Sequence, residues 1–426
     1  MYRSLLLSLI VYSLLLTGIM AVRGELLALA LPFAAYLLAG FSRSVEKIQL
    51  EGTRHLSAER TSPDANVHVT VTITNRGADL EEVLLEDKVP EGLTIRDGSC
   101  RKLLRLRKGE SCTVSYTVSG PRGGYAFHEV QAQVKDHLAV TSRTVQVEAK
   151  GMLFVFPPVL RLRHVAIRTR RTRVYAGMIP ARAGGSGTEF FGVRTYQPGD
   201  PPRAINWRAS ARYDEALYSN EFQQERVADV GIVLDGRMRT NEFAGGHSLF
   251  EHSVQAAAAL ADALLTQGNR VGLLVYASYL RWTLPGYGKV QRARILHTLA
   301  HARPGGSEVF SDLENLPTRL FPAKSQIILV SPLTPEDLMP LIQLRAEGYQ
   351  VLVVSPNPVE FELSYLPRRP HVDLAARVIR MERTLLLQKI RRAGIQVLDW
   401  DVAEPFDLAV KRKLSRPPAW LRAVGR

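Results

Sequence analysis

Hydrophobic and polar positions follow three different rhythms along the chain. At the start, residues 4–22 and 26–42 carry no charge and are separated only by Arg23-Gly24-Glu25. As helices they would reach roughly 28 and 25 Å, close to the ~30 Å hydrocarbon layer of a bilayer. This predicts a transmembrane helical hairpin over residues 1–44, with Pro32 as a kink in its second arm. One span plus an interfacial segment and a cleaved signal peptide are the alternatives. The peptide's site, Ile19-Met20-Ala21, matches A-x-A poorly, and a second apolar run follows at once. Arg3 precedes the hairpin, and Arg43, Lys47 and Arg54 follow it. The positive-inside rule therefore puts both ends in the cytoplasm. The expected localisation is the inner membrane, held through residues 4–42, with the bulk of the chain cytoplasmic.

From residue 45 to about 160 the rhythm becomes two. Val67-His68-Val69-Thr70-Val71-Thr72-Ile73-Thr74 alternates apolar and polar and is rich in β-branched residues, as a half-buried strand requires. Further strands are predicted at 81–87, 112–118, 128–134, 140–148 and 151–156, with Gly/Pro/Asp punctuation between them. Short strands without a helical period predict an all-β, sandwich-like domain.

From residue 227 to about 405 apolar runs alternate with helical patterns. Strands are predicted at 227–235, 271–278, 326–332, 350–356 and 395–400, and helices at 248–267, 289–302, 335–347 and 374–393. Uninterrupted apolar strands between helices predict an α/β unit with a doubly wound, mainly parallel sheet. Ligands of such sheets sit at the carboxyl ends of strands. Asp235, Ser307 and Ser331 are the candidates there. No GxGxxG, GxxxxGK[ST], GxSxG or HExxH occurs, so dinucleotide, P-loop, hydrolase and zincin readings lack support.

Charge adds one feature. Lys and Arg total 55 against 41 Asp and Glu, a net +14, which suits an anionic partner. Seven Arg and no acid fall within 161–183, and six Lys/Arg and no acid within the tail from Lys411. Lipid, an acidic partner or plain solvation each accounts for such segments. Little aromatic interleaving argues against nucleic acid. Gly184-Gly185-Ser186-Gly187 reads as a hinge. Cys100 and Cys112 form neither a disulfide scaffold nor a zinc pattern.

Residues 192–212 read GVRTYQPGDPPRAINWRASAR, followed by LYSNEFQQERVADVGIVLD. This resembles the signature of the prokaryotic family called domain of unknown function fifty-eight. Arg194, Tyr196, Gly199, Asp200, Arg203, Ile205, Asn206, Trp207, Ser210, Ala211, Arg212, Glu221, Phe222 and Glu225 match its pattern in order. The resemblance implies a von Willebrand factor A-like domain over 227–405, after a basic arm and signature segment at 161–226 and before a basic tail at 406–426. It also implies association with MoxR-type AAA+ ATPases. Read as chemistry, Pro198-Gly199 is a turn pair. Arg208 and Arg212 share a face if helical. Trp, Tyr and Arg together make interaction hot spots. The segment is therefore either a structural clasp, with Trp207 packed under the sheet, or a partner-facing surface.

A-like domains often bind Mg²⁺ through D-x-S-x-S, a Thr and a later Asp, because Mg²⁺ wants hard oxygens in an octahedron. Here the first loop is Asp235-Gly236-Arg237-Met238-Arg239, Ser307 stands for the Thr and Ser331 for the Asp. Two Arg beside one carboxylate speak against a cation, so no cofactor is expected. Arg237 and Arg239 are instead candidates to meet an acidic partner residue. The expected function is a membrane-anchored, non-enzymatic adaptor acting with a MoxR-type ATPase in protein assembly or maturation. A cell-envelope or polysaccharide-related scaffold and a cryptic metal-dependent enzyme are the alternatives. The partner-binding candidates are Arg194, Tyr196, Gly199, Asp200, Arg203, Asn206, Trp207, Arg208, Arg212, Arg237 and Arg239.

Overall fold

Two helices, α1 (Tyr2–Met20) and α2 (Gly24–Ser42), open the described chain. The computed structural model describes residues 2–42, 48–135, 142–162, 172–212, 216–306, 312–367 and 369–414. The chain divides into two units, Met1–Phe156 and Pro157–Arg426. The helices pair through Val11 and Leu37, with Leu7 and Ala34 against them. Each has 19 residues, about 28 Å. Ser8, Ser13 and Thr17 interrupt the first, and Pro32 lies inside the second. No helix among the described residues is long and apolar enough to cross a membrane. The expected transmembrane hairpin is corrected accordingly: these residues form a helical hairpin whose arms fall short of a span.

The rest of the first unit is all β: β1 (Leu50–Leu56), β2 (Arg60–Thr61), β3 (Val67–Asn75), β4 (Leu80–Asp87), β5 (Thr94–Gly98), β6 (Arg101–Leu106), β7 (Ser111–Ser119), β8 (Gly123–Lys135) and β9 (Ser142–Val155). They form a four-stranded sheet, β1-β3-β7-β5, and a five-stranded sheet, β2-β9-β8-β4-β6. The alternation in β3 puts Val67, Val69, Val71 and Ile73 inside. There they meet Leu80, Val83, Leu85 and Phe127 of the other sheet in one shared core. The side chain of Arg54 is wholly buried, bonded to Asp87 at 2.7 Å, and Tyr116 donates to the same carboxylate.

The second unit contains β10 (Thr172–Thr195), α3 (Trp207–Ser210), β11 (Tyr218–Asp235), β12 (Phe243–Ala244), β13 (His247–Ser248), α4 (Leu249–Thr266), β14 (Arg270–Tyr276), β15 (Leu280–Gly286), α5 (Gly288–Ala300), β16 (Gln326–Val330), α6 (Leu338–Ala346), β17 (Gln350–Pro356), α7 (Pro358–Leu363), α8 (Pro370–Arg392), β18 (Gln396–Trp400) and α9 (Phe406–Leu414). The main sheet runs β15-β14-β11-β16-β17-β18. All its pairings are parallel except that of the edge strand β15. Helices α4, α5 and α9 bury one face, and α6 and α8 the other. Strands covered on both faces must be apolar throughout, which is why β14 and β16 show no polar alternation. The alanines at 256–259, all fully buried, let α4 lie close to the sheet. Gly231 in β11 serves the other face, since a Cβ there would stand 2.4 Å from the Phe321 ring.

Strand β11 does double duty. Its second half, from Asp229, is the centre of the sheet, and its first half pairs with β10 as an antiparallel ribbon, with one further bridge from Ser219 to Ile205. Gly184 and Gly185, read as part of a hinge, lie in that ribbon beside register shifts. The basic stretch at 163–171 lies outside the described residues. Residues 406–414, expected to begin a basic tail, form α9 and bury Phe406, Ala409 and Val410. Residues 415–426 lie outside the described residues.

Candidate functional site

The strand order reverses at β11, which has β14 on one side and β16 on the other. The carboxyl ends of β11 and β16 therefore form the crevice where ligands of open α/β sheets bind. Asp235 ends β11, and the loop beyond it is fixed by backbone bonds: Gly236 to Tyr276 at 2.7 Å, and Gly305 to Gly236 at 2.8 Å. Extended Arg237 then turns its side chain back over the strand end. Its Nε and Nη2 donate to Asp235 at 2.9 and 2.7 Å. Its Nη1 and Nη2 donate to the two oxygens of Asp337 at 2.8 and 2.9 Å. The three side chains are 2%, 0% and 0% exposed. Ser331 Oγ donates to Asp235 Oδ2 at 2.6 Å and accepts from Leu333 N. Asp337 Oδ2 also accepts from Thr334 N at 2.8 Å, closing a capping box ahead of α6.

Burial opposes the charge on Arg237, but the bonds and the attraction of Asp235 and Asp337 outweigh it and hold the guanidinium protonated. Burial pushes the nearby Tyr276 hydroxyl up to about 12, and it donates to the Asp312 carbonyl at 2.6 Å.

This donor set does not fit Mg²⁺. A carboxylate offers about four lone-pair directions. Asp235 Oδ1 accepts from Arg237 N and Nε, and Oδ2 from Arg237 Nη2 and Ser331. The guanidinium stands between the carboxylates where a cation would have to sit. Among the described residues no cluster of three His, Cys, Asp or Glu is arranged to hold a metal. Arg239, the other arginine of this loop, is bonded to Asp312 at 2.6 Å and is partly exposed. The acids that meet Arg237 and Arg239 thus belong to this chain. Ser307 lies outside the described residues. Asp337 was not singled out by the sequence, although the Thr334-Pro335-Glu336-Asp337 start of a helix was visible in it.

The signature segment folds over the far end of the β10–β11 ribbon. Arg194 Nη2 bonds Asp200 at 2.7 Å, and Asp200 accepts from Gln197 N across the turn made by Pro198 and Gly199. Gly199 sits at φ 110, where a side chain would be strained. Tyr196 Oη donates to the Asp200 carbonyl. The bond to Arg194, with that to Gln197 N, holds the Asp200 carboxyl below its usual range. Asn206 caps α3 through Ala209 N at 2.9 Å and bonds Asn220 at 2.7 Å. Ser210 Oγ accepts from Tyr218 N. The clasp is therefore made by Arg194, Tyr196, Asp200, Asn206 and Ser210. Trp207 is not packed under the sheet. It is 67% exposed, and Arg203, Arg208 and Arg212 are exposed around the same turn. The side chains of Phe222 and Glu225 lie outside the described part.

His252 in α4 lies edge-on to Phe361 at 5.9 Å and to Trp400 at 6.1 Å. Burial pulls its pKa below the usual value, against a smaller pull from Glu251. The folded state then takes up a proton less readily than the unfolded chain, so stability falls as pH drops below about 6.5. Glu242 acts in the opposite sense, since burial and the charge of Glu362 hold its carboxyl above the usual range. The comparison is therefore between variants: His252→Phe should lose less melting temperature than the wild type between about pH 7 and 5.5. Equal losses would contradict the assignment.

Taken together, these units define a mixed α/β protein with a doubly covered sheet and an exposed signature segment on a ribbon. Residues 192–376 match the family described as Protein of unknown function DUF58, which supports the resemblance over that stretch. The chain is also similar to the uncharacterized protein YeaD of Bacillus subtilis (strain 168). The two are 26% identical over 341 residues, covering 78% of this chain and 82% of that protein. Among solved structures, a FixG-related protein from Vibrio parahaemolyticus is 10% identical, covering 25% of this chain and 95% of its own at a TM-score of 0.18. Proximal thread matrix protein 1 of the mussel byssus is 16% identical, covering 33% and 41% at a TM-score of 0.23. Likeness at these scores carries nothing about fold or activity.

Proposed function

We propose that this chain is a non-enzymatic adaptor that docks a protein partner through the Trp207 turn, and that its α/β unit is a von Willebrand factor A-like domain working without a metal. The observation that carries this is Trp207, two-thirds exposed on a turn pinned from below by Arg194–Asp200 and Asn206–Asn220. A large exposed aromatic ringed by arginines is hot-spot chemistry. A turn already held by its own hydrogen bonds loses little entropy on binding. The crevice where an enzyme of this architecture would work is filled by the Arg237 cluster, whose carboxylate Asp235 has no lone pair left for a substrate or cation. The family resemblance supplies the partner class, a MoxR-type AAA+ ATPase, and the role in assembly or maturation of other proteins.

Crosslinking and recovery of the tagged full chain from cells, read by mass spectrometry, tests the proposal. A Trp207→Ala/Arg208→Ala variant that melts like the wild type is the comparison. An AAA+ ATPase should be recovered with the wild type and at least roughly tenfold less with the variant. Equal recovery would remove the turn from the interface. Envelope or polysaccharide-related proteins without an ATPase would replace the adaptor by a scaffold.

A further inference from the structure

Helix α8 has two apolar faces where a surface helix needs one. It runs from Pro370 to Arg392, 23 residues, about 35 Å. Its inner face, with Ala376, Leu387 and Ile390 buried, lies on α6, α7 and β18. At ~100° per residue, Leu374, Val378, Met381 and Leu385 fall on the opposite side. They are 64%, 52%, 65% and 52% exposed. Their spacing of four, three and four is that of a coiled-coil seam, with Val378 and Leu385 at a and Leu374 and Met381 at d. Apolar residues all round a helix belong to one packed on both sides. This helix has its second side bare.

We infer that a second copy of this chain covers the seam, the two α8 helices lying parallel about a twofold axis. The flanking charges select this occupant. Arg377 precedes Val378 at g, and Glu382 follows Met381 at e. In a parallel pair, g of one helix meets e of the other five residues on. Arg377 of one protomer then faces Glu382 of its partner, and the symmetry makes the pair twice. An antiparallel pair would set like against like. Both residues are exposed. Arg380 and Arg383, by contrast, are engaged by Glu360 and Asp399 of their own chain. Val378 at one a and Leu374 at one d are the β-branched and Leu choices that favour two strands, and Leu385 and Met381 fill the other two positions. The seam is only about two heptads long, too short to fold as an isolated pair. Here the inner face already orders the helix, so association does not have to form it.

Sedimentation equilibrium of the full chain from about 1 to 100 µM tests the seam. The wild type should show a reversible monomer–dimer equilibrium, and Val378→Glu/Met381→Glu should stay monomeric with unchanged melting. Arg377→Glu and Glu382→Arg, each alone, should weaken the dimer roughly tenfold, and the double swap should restore it. The swaps keep the test decisive should the seam variant fold poorly. A wild type that stays monomeric throughout overturns the inference, whether the seam then proves to hold another protein or anionic vesicles. So does a dimer that survives Val378→Glu/Met381→Glu, or a double swap that does not restore it.

Discussion

Replacing Arg237 with alanine should cost the second unit about 3–5 kcal/mol, the loss typical of stranding buried charges. The guanidinium is 2% exposed and neutralises two carboxylates that are themselves buried. Without it Asp235 keeps Ser331 Oγ and the N–H of residue 237, Asp337 keeps the N–H of Thr334, and neither keeps a counter-charge in the cluster. Two such carboxylates cannot both stay ionised, so one takes up a proton. The variant's folded state then binds more protons than its unfolded state, and its stability should rise as pH falls from 7 toward 5. Arg237→Lys keeps the charge but cannot make the four forked bonds, and should recover only part of the loss. Urea unfolding followed by tryptophan fluorescence measures this, because Trp207, Trp282 and Trp400 lie in the second unit and no tryptophan precedes them in the sequence. A midpoint within experimental error of the wild type would contradict the account of the cluster.

Asp87→Ala should have a comparable effect on the first unit. Arg54 is 0% exposed in its side chain, bonds Asp87 at 2.7 Å, and lies 4.4 Å from the Phe127 ring centre. Burial raises the Asp87 pKa, while Tyr116 and Arg54 pull it down. Removing the carboxylate leaves a cation inside a sandwich core with no counter-charge, at about 3–5 kcal/mol. Replacing the whole set by apolar residues, Arg54→Met/Asp87→Leu/Tyr116→Phe, should recover most of it, since such swaps are often near neutral. Far-UV circular dichroism should report the loss in Asp87→Ala while the tryptophan transition stays in place. A triple variant as unstable as Asp87→Ala would show that packing, not the stranded charge, sets the cost.

How much of this was legible depended on how far apart the partners stand in the sequence. The apolar runs at 227–235, 271–278, 326–332 and 350–356 were readable because strands covered on both faces leave no room for polar positions. The structure places β11, β14, β16 and β17 there. Strand β5 was invisible because all five of its residues are exposed and show no alternation. Strand β15 was missed for a related reason: on the sheet edge, it is only partly buried. The N-terminal runs misled because hydropathy and length near the limit describe a helical hairpin as well as a span. Asp235 was found from its place after a buried strand. The partner that completes its cluster, Asp337, stands 100 residues from Arg237, and no local pattern links them. The arginines of that loop therefore read as candidates for an acidic partner residue, although both meet acids of their own chain. For the signature segment the sequence left clasp and surface open. The structure puts Arg194, Asp200 and Asn206 in the clasp and leaves Trp207 exposed.

Arg237 bridges Asp235 and Asp337 at the place a divalent cation would need, and a metal titration tests most directly whether it takes the place of one. Mn²⁺ can stand in for Mg²⁺, and its free aquo ion can be counted by electron paramagnetic resonance as it is added to the purified full chain. The account predicts no stoichiometric binding below about millimolar metal, in the wild type and in Asp235→Asn alike. A tight site of one Mn²⁺ per chain that disappears in Asp235→Asn would contradict it.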